Sequence, residues 1–597
     1  MMPFRRVLLL LALFCLSAHG QYTIRSPYLA EPERVFGYVD SCAAFWAHTV
    51  DPVRGGYYTN IDRSGKVITA WGKNKNMITQ SRHAYGFVRA YMLTGNDIYL
   101  DAARLALDFM YAHAWDKTWG GWHNELDENG KPLSATAAKT AFNQHYALLG
   151  PCAFVEATAE SLDGYWLQTG LTYNESRLWD SDPVQYGYYD QVNFNASTRQ
   201  GKSFNATVDA VTTHQLSLFL MTGDPAYQQR LQQLTDNMVH HLHASMAAQK
   251  IGFAEAFDTH WNPDPAETMT IMGHVLKTAW CLGRLYQLDP QPDLLETAES
   301  LAQHVLQKGY DHTYGGPYKD YNRVTGQMLM WGQVDTAKAW WQMEQAVTAG
   351  LMLYDITRQP AYLQMADETL DFFMRHFVDR TYGEVYENRT RYGGPIWGDH
   401  KGGGGKAGYH SIELGYYVYL YGTLFVHNRP VQLHYRFAPA AKARTIALWP
   451  LAIPTARLAI SQVLLDEQPY AAFDPVARTL FLPAGTGGHF AVTFTPQANT
   501  NVARRPDAPE MAFELLGNYP NPFNARTQIA FQLNKSQPVR IVIHDLRGRE
   551  MGELCNRRFE PGRHNISWEA TGVPSGIYYY RLHSAQGTKS GKLTLLR

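Results

Sequence analysis

Residues 77–114 read MITQSRHAYGFVRAYMLTGNDIYLDAARLALDFMYAHA, and they contain the pattern from which the fold is predicted. Apolar residues recur at three- and four-residue steps from Met77 to Leu93 and again from Ile98 to Ala114, which is the period of an α-helix. Thr94-Gly95-Asn96 lies between the two segments and combines glycine with residues that favour turns. The stretch therefore predicts two helices joined by a short turn, that is, a helical hairpin.

The same unit recurs along the first two thirds of the chain. Further turns of this kind are predicted at Thr158-Ala159-Glu160, Thr222-Gly223-Asp224, Leu288-Asp289-Pro290 and Thr357-Arg358-Gln359, the third of which matches least well. Gly-aromatic loops lie between the hairpins, and their glycines Gly56, Gly121, Gly187, Gly252, Gly316 and Gly383 are 65, 66, 65, 64 and 67 residues apart. Six such hairpins favour a closed (α/α)6 barrel with one helix of each hairpin inside, and an open solenoid is the alternative.

Composition restricts the classes of function. The 597 residues contain 53 Lys and Arg against 54 Asp and Glu, so the chain lacks the excess of positive charge that binds nucleic acid or an anionic membrane. Hydrophobic residues make up 45% and charged residues 18%, which predicts large buried cores. The 37 Tyr, 26 Phe and 15 Trp are consistent with rings that stack on sugars, and equally with core packing.

The N-terminus predicts export. Arg5 and Arg6 precede an apolar run over 7–16, and Ala18-His19-Gly20 ends it with small residues, as in a signal peptide covering 1–20. No later run is long enough to span a membrane. Four cysteines remain, far apart in sequence, and they form no recognisable disulfide or metal framework: Cys42, Cys152, Cys281 and Cys555.

The helical period stops near residue 428. We therefore assign the barrel to 21–428. Short alternating runs separated by Pro and Gly then predict a β-sandwich-like module over 429–500. A polar linker over 501–513 leads to a second all-β module over 514–597.

Equivalent positions on the six predicted inner helices carry ionisable side chains. They are Arg82, His145, Asp209, His274, Glu344 and His410. Charged residues rarely occupy buried positions without a partner or a task, so this ring is a candidate active site. Any single member could instead be a core residue with satisfied hydrogen bonds.

Several motifs within this pattern resemble those of the N-acylglucosamine 2-epimerase superfamily, which includes cellobiose 2-epimerases and aldose-ketose isomerases. They are Gln80-Ser81-Arg82, Gly273-His274, Lys338-Ala339-Trp340-Trp341 and Tyr409-His410. The resemblance covers roughly residues 26–428 and implies an (α/α)6 barrel that epimerises or isomerises a sugar at C2 through an enediolate. It implies that His274 and His410 are the acid/base pair and that Arg82 stabilises the oxyanion, with no metal or cofactor.

The ring and the resemblance together give a set of predicted substrate-binding side chains, and the chain departs from the family pattern at several positions, two of which change a charge. The predicted binding residues are His145, Asn205, Asp209, Trp340, Trp341 and Glu344. Lys277 stands where the family usually has a Glu that orients the first catalytic His, and Asp209 stands where the family has a His. We expect Lys277 to pair with Glu413 across the barrel, which would preserve the balance of charge behind the site.

Two other functions remain open at this point. A glycoside hydrolase or polysaccharide lyase on the same barrel needs two carboxylates beside the scissile bond, and Asp209 and Glu344 are candidates. A barrel that binds carbohydrate without catalysis is the other possibility.

The last module carries a second resemblance. Its segments Asn518–Asn524, Val542–Gly548 and Pro574–Leu582 resemble the C-terminal sorting domain of the type IX secretion system and related flagellar-hook-capping, immunoglobulin-like domains. This implies contact with the secretion machinery and a secreted or cell-surface location after passage through the periplasm. The expected substrate is a mono- or oligosaccharide, and neither a nucleic-acid partner nor a membrane span is expected.

Overall fold

The computed structural model describes residues 22–330, 333–497, 513–533, 535–545, 549–584 and 587–596. The chain forms two compact units that divide between Val502 and Ala503. The predicted signal peptide and all but the last residue of the predicted linker lie outside the described residues.

The helices of the first unit alternate along the chain between two kinds. The inner helices are α2 (Met77–Thr94), α4 (Ala141–Thr158), α6 (Phe204–Ala210, continued by Val211–Gln215 and Leu216–Thr222), α8 (Met272–Leu288), α10 (Trp340–Thr357) and α12 (His410–Tyr417, continued by Val418–Val426). The outer helices are α1 (Val35–Ala47), α3 (Asp97–His113), α5 (Ser161–Tyr173), α7 (Pro225–Asn237), α9 (Pro292–Lys308) and α11 (Pro360–His376).

Burial explains which helices are inside. Every residue of α2 from Met77 to Leu93 is buried, whereas α3 buries one face and exposes Ile98 and Leu105. A helix that is buried all round lies in a core, and an amphipathic helix covers it. Consecutive inner helices contact one another, and α12 contacts α2, so the series of contacts closes. The N-terminal α1 packs against α12 and completes the sixth pair.

The predicted turns between paired helices are present. Gly95, Ala159, Gly223 and Arg358 end α2, α4, α6 and α10 in the left-handed conformation that commonly terminates helices. The turn at Leu288-Asp289-Pro290 differs, because the backbone of Asp289 is extended, with φ −137°. Pro290 follows it, and a residue before proline favours extended backbone.

Most of the Gly-aromatic loops share one set of buried contacts. In five of the loops a buried lysine pairs with an aspartate and also donates to a glycine carbonyl oxygen. The ion pairs are Asp51–Lys75, Asp116–Lys139, Asp180–Lys202, Asp311–Lys338 and Asp379–Lys401, with N–O distances of 2.7–3.3 Å. Each lysine shortly precedes an inner helix or the glycine-rich segment before one. The lysine contacts therefore connect each of these loops to the start of the next inner helix.

Short antiparallel strands make the same connection between neighbouring hairpins. The pairs are Lys139–Thr140 with Gln191–Val192, Lys202–Ser203 with Ala256–Phe257, Met269–Ile271 with Asp320–Asn322, and Lys338–Ala339 with Asn388–Arg389. In each pair the first strand ends directly before an inner helix. The N-terminal turns of α4, α6, α8 and α10 are thus held by hydrogen bonds to the next loop.

The middle β module belongs to the first compact unit rather than standing apart from the helices. One sheet contains Val431–Phe437, Gly488–Pro496, Leu458–Leu465 and Gln468–Pro469, and the other contains Arg444–Ala447, Thr479–Leu482 and Phe473–Asp474. Strand Val431–Phe437 alternates buried and accessible residues and contacts both α2 and α4.

The second unit is also made of strands. Its sheets contain Phe513–Tyr519, Arg526–Leu533 and Gly562–Glu569 in one, and Glu550–Phe559, Gln537–His544, Gly576–Ser584 and Gly587–Leu595 in the other. Ile529 and Phe531 from the first sheet share one hydrophobic core with Ile541 and Tyr580 from the second. The predicted β-rich C-terminal region is confirmed. Among the described residues, no helix combines the length and hydropathy needed to cross a membrane.

Candidate active site

A cavity of about 340 Å³ lies among the N-terminal turns of the inner helices. Its lining residues are Arg82, Phe142, Tyr146, Phe204, Asn205, Asp209, His274, Lys277, Lys319, Ala339, Trp340, Trp341, Glu387, Asn388, Gly405 and His410. All six inner helices contribute a residue from their first or second turn, so they point their N-terminal ends at one space. The positive ends of the helix dipoles therefore favour negative charge there.

Most of the predicted site residues meet in this cavity. Eight of them line it: Arg82, Asn205, Asp209, His274, Lys277, Trp340, Trp341 and His410. His145, Glu344 and Glu413 do not line it, and each has a different role described below.

His274 is held by a carboxylate that does not come from its own helix. Its Nδ1 lies 2.8 Å from Glu255 Oε2, and the other Glu255 oxygen accepts the backbone N–H of Ile271 at 2.9 Å. The imidazole stacks on Phe204 with ring centroids 3.8 Å apart and tilts against Trp341 at 5.1 Å. These contacts fix the ring and use Nδ1, which leaves Nε2 as the nitrogen available for proton transfer.

His410 begins α12 and has its own carboxyl partner on the neighbouring helix. Its Nδ1 lies 3.2 Å from Glu344 Oε2, while Glu344 Oε1 accepts a 2.6 Å bond from Thr348. Burial, followed by the nearby charges of Arg82 and Lys277, lowers the pKa of His410 well below its usual value. The imidazole is therefore neutral at neutral pH and can accept a proton.

Glu344 lies behind His410 instead of contacting the cavity. Burial, and then the proximity of Glu413, raise the pKa of Glu344 well above its usual value. The prediction that Glu344 binds substrate is therefore not supported by its position. A hydrolase needs two carboxylates beside the scissile bond, and Glu344 is not available for that role.

Arg82 supplies a positive charge surrounded by aromatic rings. Its guanidinium lies 4.3 Å from the centroid of Tyr146 and 5.6 Å from that of Phe142, and one of its N–H groups donates to the backbone oxygen of Gly405. Within the described part of the chain, no carboxylate forms an ion pair with Arg82. Its charge is thus available to an oxyanion in the cavity.

The predicted pairing of Lys277 with Glu413 is wrong. Lys277 Nζ lies 2.5 Å from Asp209 Oδ1 and 3.2 Å from Tyr146 Oη, whereas Glu413 accepts a 2.6 Å bond from Tyr85. The reason is that α6 lies next to α8 in the ring, but α12 does not. Burial would lower the pKa of Lys277, but attraction to Asp209 and Tyr146 outweighs it and raises the value.

His145, predicted to bind substrate, faces the space between α4 and α6 and does not line the cavity. Its Nδ1 lies 3.2 Å from His214 Nε2 and 3.4 Å from Asn174 Nδ2. Burial lowers the pKa of His145 to about 4. It is a buried neutral side chain that helps to join two inner helices.

Several cavity residues were not predicted from the sequence. They are Phe142, Tyr146, Phe204, Lys319, Glu387 and Asn388 in the lining, and Glu255 behind His274. One signal could have found Glu255 and Glu387, because each follows a repeat glycine by three or four residues, as do Asp190 and Asp320. The repeat therefore places acidic residues in the loops around the cavity.

One group of side chains is close enough to hold a metal ion. The potential ligand atoms of Glu344, His410 and Glu413 lie within 4.8 Å of one another. Their oxygens already accept bonds from Thr348 and Tyr85, and burial favours the neutral form of both carboxyls. Hard cations prefer ionised oxygen ligands, so we assign no metal ligand here.

Comparison with family models gives two matches. Residues 56–413 match the family described as N-acylglucosamine 2-epimerase, and residues 518–595 match the secretion system C-terminal sorting domain.

Similar proteins agree with the first match. A cellobiose 2-epimerase of Eubacterium cellulosolvens is 23% identical over 365 residues, covering 57% of this chain and 86% of that protein. The N-acylglucosamine 2-epimerase of Homo sapiens is 24% identical over 393 residues, covering 62% and 85%.

Solved structures show the same fold for the helical part. A cellobiose 2-epimerase from Spirochaeta thermophila DSM 6192 gives a TM-score of 0.58 at 23% identity, covering 67% of this chain and 98% of that one. A D-mannose isomerase also gives 0.58, at 20% identity, with coverage of 66% and 99%.

Proposed function

Because the chain belongs to the N-acylglucosamine 2-epimerase family, we propose that it is an exported isomerase acting at C2 of an aldose or reducing-end sugar. The closed ring of helical hairpins supports an (α/α)6 barrel as its catalytic domain.

The observation that carries this proposal is the arrangement of the two imidazoles. His274 and His410 line one cavity, and each has its Nδ1 bonded to a carboxyl group. Both rings are therefore oriented, with Nε2 left to exchange a proton with substrate. Arg82 lines the same cavity and carries a charge that no carboxylate in the described residues neutralises.

The chemistry follows from these roles. In the open-chain sugar the C2–H bond is weakly acidic because the neighbouring carbonyl accepts the electron pair. Neutral His410 removes the proton, the C1–C2 double bond forms, and the C1 oxygen becomes an enediolate oxyanion that Arg82 stabilises. Return of a proton to C2 from Nε2 of a protonated His274, on the opposite face, re-forms the C1 carbonyl and gives the epimer. For the ketose, the proton of the C2 hydroxyl moves to the C1 oxygen, C1 is protonated and the carbonyl forms at C2. Exchange with solvent then removes the proton from His410 and returns one to His274.

The aromatic wall supports the same reaction site. Trp341 lies 5.1 Å from the His274 ring and 6.1 Å from the His410 ring, measured between centroids. A sugar stacked on Trp341 would therefore have its reacting carbons near both imidazoles.

The C-terminal unit supports export. Its match to the sorting domain favours passage through the type IX secretion system to the cell surface or the medium. The signal peptide predicted over 1–20 fits the first step of that route.

The test is hydrogen exchange at C2. The full-length mature protein is incubated in deuterated water with mannose, glucose, cellobiose, mannobiose and N-acetylmannosamine, and the products are analysed by NMR. We expect deuterium at C2 of at least one sugar, lost in His274→Gln and His410→Gln but retained in His240→Gln, whose side chain is exposed on the outer surface. Cleavage of an oligosaccharide without exchange, or binding without exchange, would reject the proposal.

A further inference from the structure

The middle β module inserts one segment into the helical ring. Residues Trp449–Ile453 connect strands Arg444–Ala447 and Leu458–Leu465, and all five are buried. Leu451 and Ala452 have φ of 50° and 53°, a conformation that non-glycine residues adopt at a cost. The surrounding contacts therefore hold this turn in place. We call residues 449–453 the plug.

The plug lies at the end of the ring opposite the cavity. The cavity is formed by the first two turns of the inner helices, whereas the plug contacts Leu216–Thr222 at the end of α6. Trp449 packs with Val155 near the end of α4 and with Leu218 near the end of α6. The module thus covers the C-terminal ends of these helices.

A continuous series of buried polar contacts runs from the plug toward His410. The backbone N–H of Leu451 donates to Glu156 Oε1 at 3.0 Å, and Glu156 Oε2 pairs with Arg89 at 2.7 Å. The Arg89 guanidinium lies 4.6 Å from the Tyr85 ring centroid, and the Tyr85 hydroxyl donates to Glu413 at 2.6 Å.

Glu413 is the member of this series that lies nearest to His410. Potential ligand atoms of Glu413, Glu344 and His410 lie within 4.8 Å of one another, and Glu344 bonds His410 Nδ1. The polar groups that receive the plug therefore end, at Glu413, within 4.8 Å of those that orient His410.

A small enclosed space lies along this path. It measures about 20 Å³ and is bounded by Glu413 and Tyr409 on one side and by Leu451 and Ala452 on the other. A space of that size holds about one water molecule. Because the plug forms part of its wall, the Leu451 and Ala452 side chains separate Glu413 from the end of the ring.

The module is attached rigidly enough for this role. Arg457 places one nitrogen 2.6 and 2.7 Å from the two oxygens of Asp355 on α10, and both side chains are buried. Arg478 donates to the backbone oxygen of Ile453 at 2.9 Å, which holds the end of the plug.

From these contacts we infer that the plug is a positioning element for the proposed reaction: it keeps bulk water out of the ring and holds His410 through Glu156, Arg89, Tyr85 and Glu413. The inference rests on the proposed role of His410. Opening the plug should hydrate the interior, which allows His410 to bind a proton more easily. The loss of activity on acidification should then occur at higher pH.

Other groups that face His410 must stay constant in the test. They are Arg82 on α2, His274 and Lys277 on α8, Glu344 on α10, Glu413 and Tyr409 beside it in the chain, and Lys406 in the preceding loop. None of these is changed in the variants below.

The experiment compares two buried leucines of the same module. Leu451→Ala removes a wall of the small space, and Leu480→Ala removes a fully buried side chain from a strand of the same module. Both should lower the melting temperature. We expect only Leu451→Ala to move the acidic limb of the kcat profile upward by about 0.5–1 unit, with KM little changed. At pH values below that limb, kcat should then be about 3- to 10-fold lower than in the wild type.

Rescue and a second variant complete the test. Leu451→Met restores the volume and should restore the profile. If Leu451→Ala does not fold, Ala452→Gly opens the same wall by one methyl group in a conformation that glycine tolerates. Identical acidic limbs in the opened and control variants would overturn the inference.

A direct measurement separates this inference from the proposed function. The titration of His410 can be followed by NMR of protein labelled at histidine Cε1, with His410→Gln identifying the signal. We expect the His410 titration to rise in Leu451→Ala and not in Leu480→Ala. If the wild type exchanges no C2 proton in any sugar, the proposed function fails, and this titration still decides whether the plug controls His410.

Discussion

Removing one charge from the Lys277–Asp209 pair should destabilise the larger unit, whereas removing both should not. The two charged atoms are 2.5 Å apart, and the side chains are 4% and 2% exposed. At an effective dielectric constant of about 20, charges at this distance attract by about 7 kcal/mol. Burying each ion costs several kcal/mol, so the intact pair contributes little net stability, but a surviving single charge keeps its burial cost.

The expected loss can be converted to a melting temperature. Breaking a buried pair from one side costs about 3–5 kcal/mol. The unit has about 470 described residues, and unfolding entropy is about 2.1 cal/mol/K per residue, so each kcal/mol lowers the melting temperature by about 1 °C. Lys277→Met and Asp209→Asn should therefore each lower it by about 3–5 °C.

The assay is a double-mutant cycle by scanning calorimetry at pH 7. The double variant should melt within about 2 °C of the wild type, because no unpaired charge remains. If the double variant instead melts as low as the sum of the two single losses, the two side chains do not act as a pair and the reasoning fails.

Two further predictions concern single side chains near the site. Glu255→Gln keeps the size of the group beside His274 but removes its charge, so kcat for C2 exchange should fall about 10- to 100-fold with a small change in KM; an unchanged kcat would show that Glu255 does not assist His274. His145 has a pKa lowered by burial from 6.5 to about 4, so the unfolded chain binds a proton more readily and stability falls as the pH drops from about 6.5 to 4, by about 3 kcal/mol; thermal melting of His145→Gln between pH 4 and 7 should show a weaker pH dependence than the wild type.

The helical hairpins could be predicted because their information is local. The segments at 77–94 and 97–113 follow the helical period, and their turn carries glycine in a left-handed conformation. Convergence of Arg82, His274 and His410 could also be predicted, because equivalent positions in a closed repeat face the same space.

The predictions for His145 and Lys277 differ from the structure for two reasons. One is the direction in which a helical residue points, and the other is which helices are neighbours in the ring. Successive helical residues differ by about 100° in direction, so Tyr146 lines the cavity while His145 faces α6. The partner of Lys277 depended on which helices are neighbours in the ring, and the adjacent Asp209 is the partner rather than Glu413. Glu255 lies in a loop, where no helical register indicates its direction.

The departures from the family pattern at Lys277 and Asp209 together amount to one exchange of charge. The resemblance implies a Glu at the position of Lys277 and a His at that of Asp209, and here the two positions form an ion pair with no net charge. The carboxylate beside His274 is supplied by Glu255 instead. Lys277 therefore adds no net positive charge to the site.

The other lysine of the cavity lining is also paired. Lys319 forms ion pairs with Asp320 and Asp335. Among the described lining residues, this leaves Arg82 as the cation without a carboxylate partner. One such charge matches the single negative charge of an enediolate. A sugar acid or sugar phosphate would neutralise Arg82 before the reaction, and a neutral sugar would not. Only interactions that strengthen in the transition state accelerate a reaction, so under the proposed function the unpaired charge of Arg82 leads us to expect a neutral sugar as the substrate.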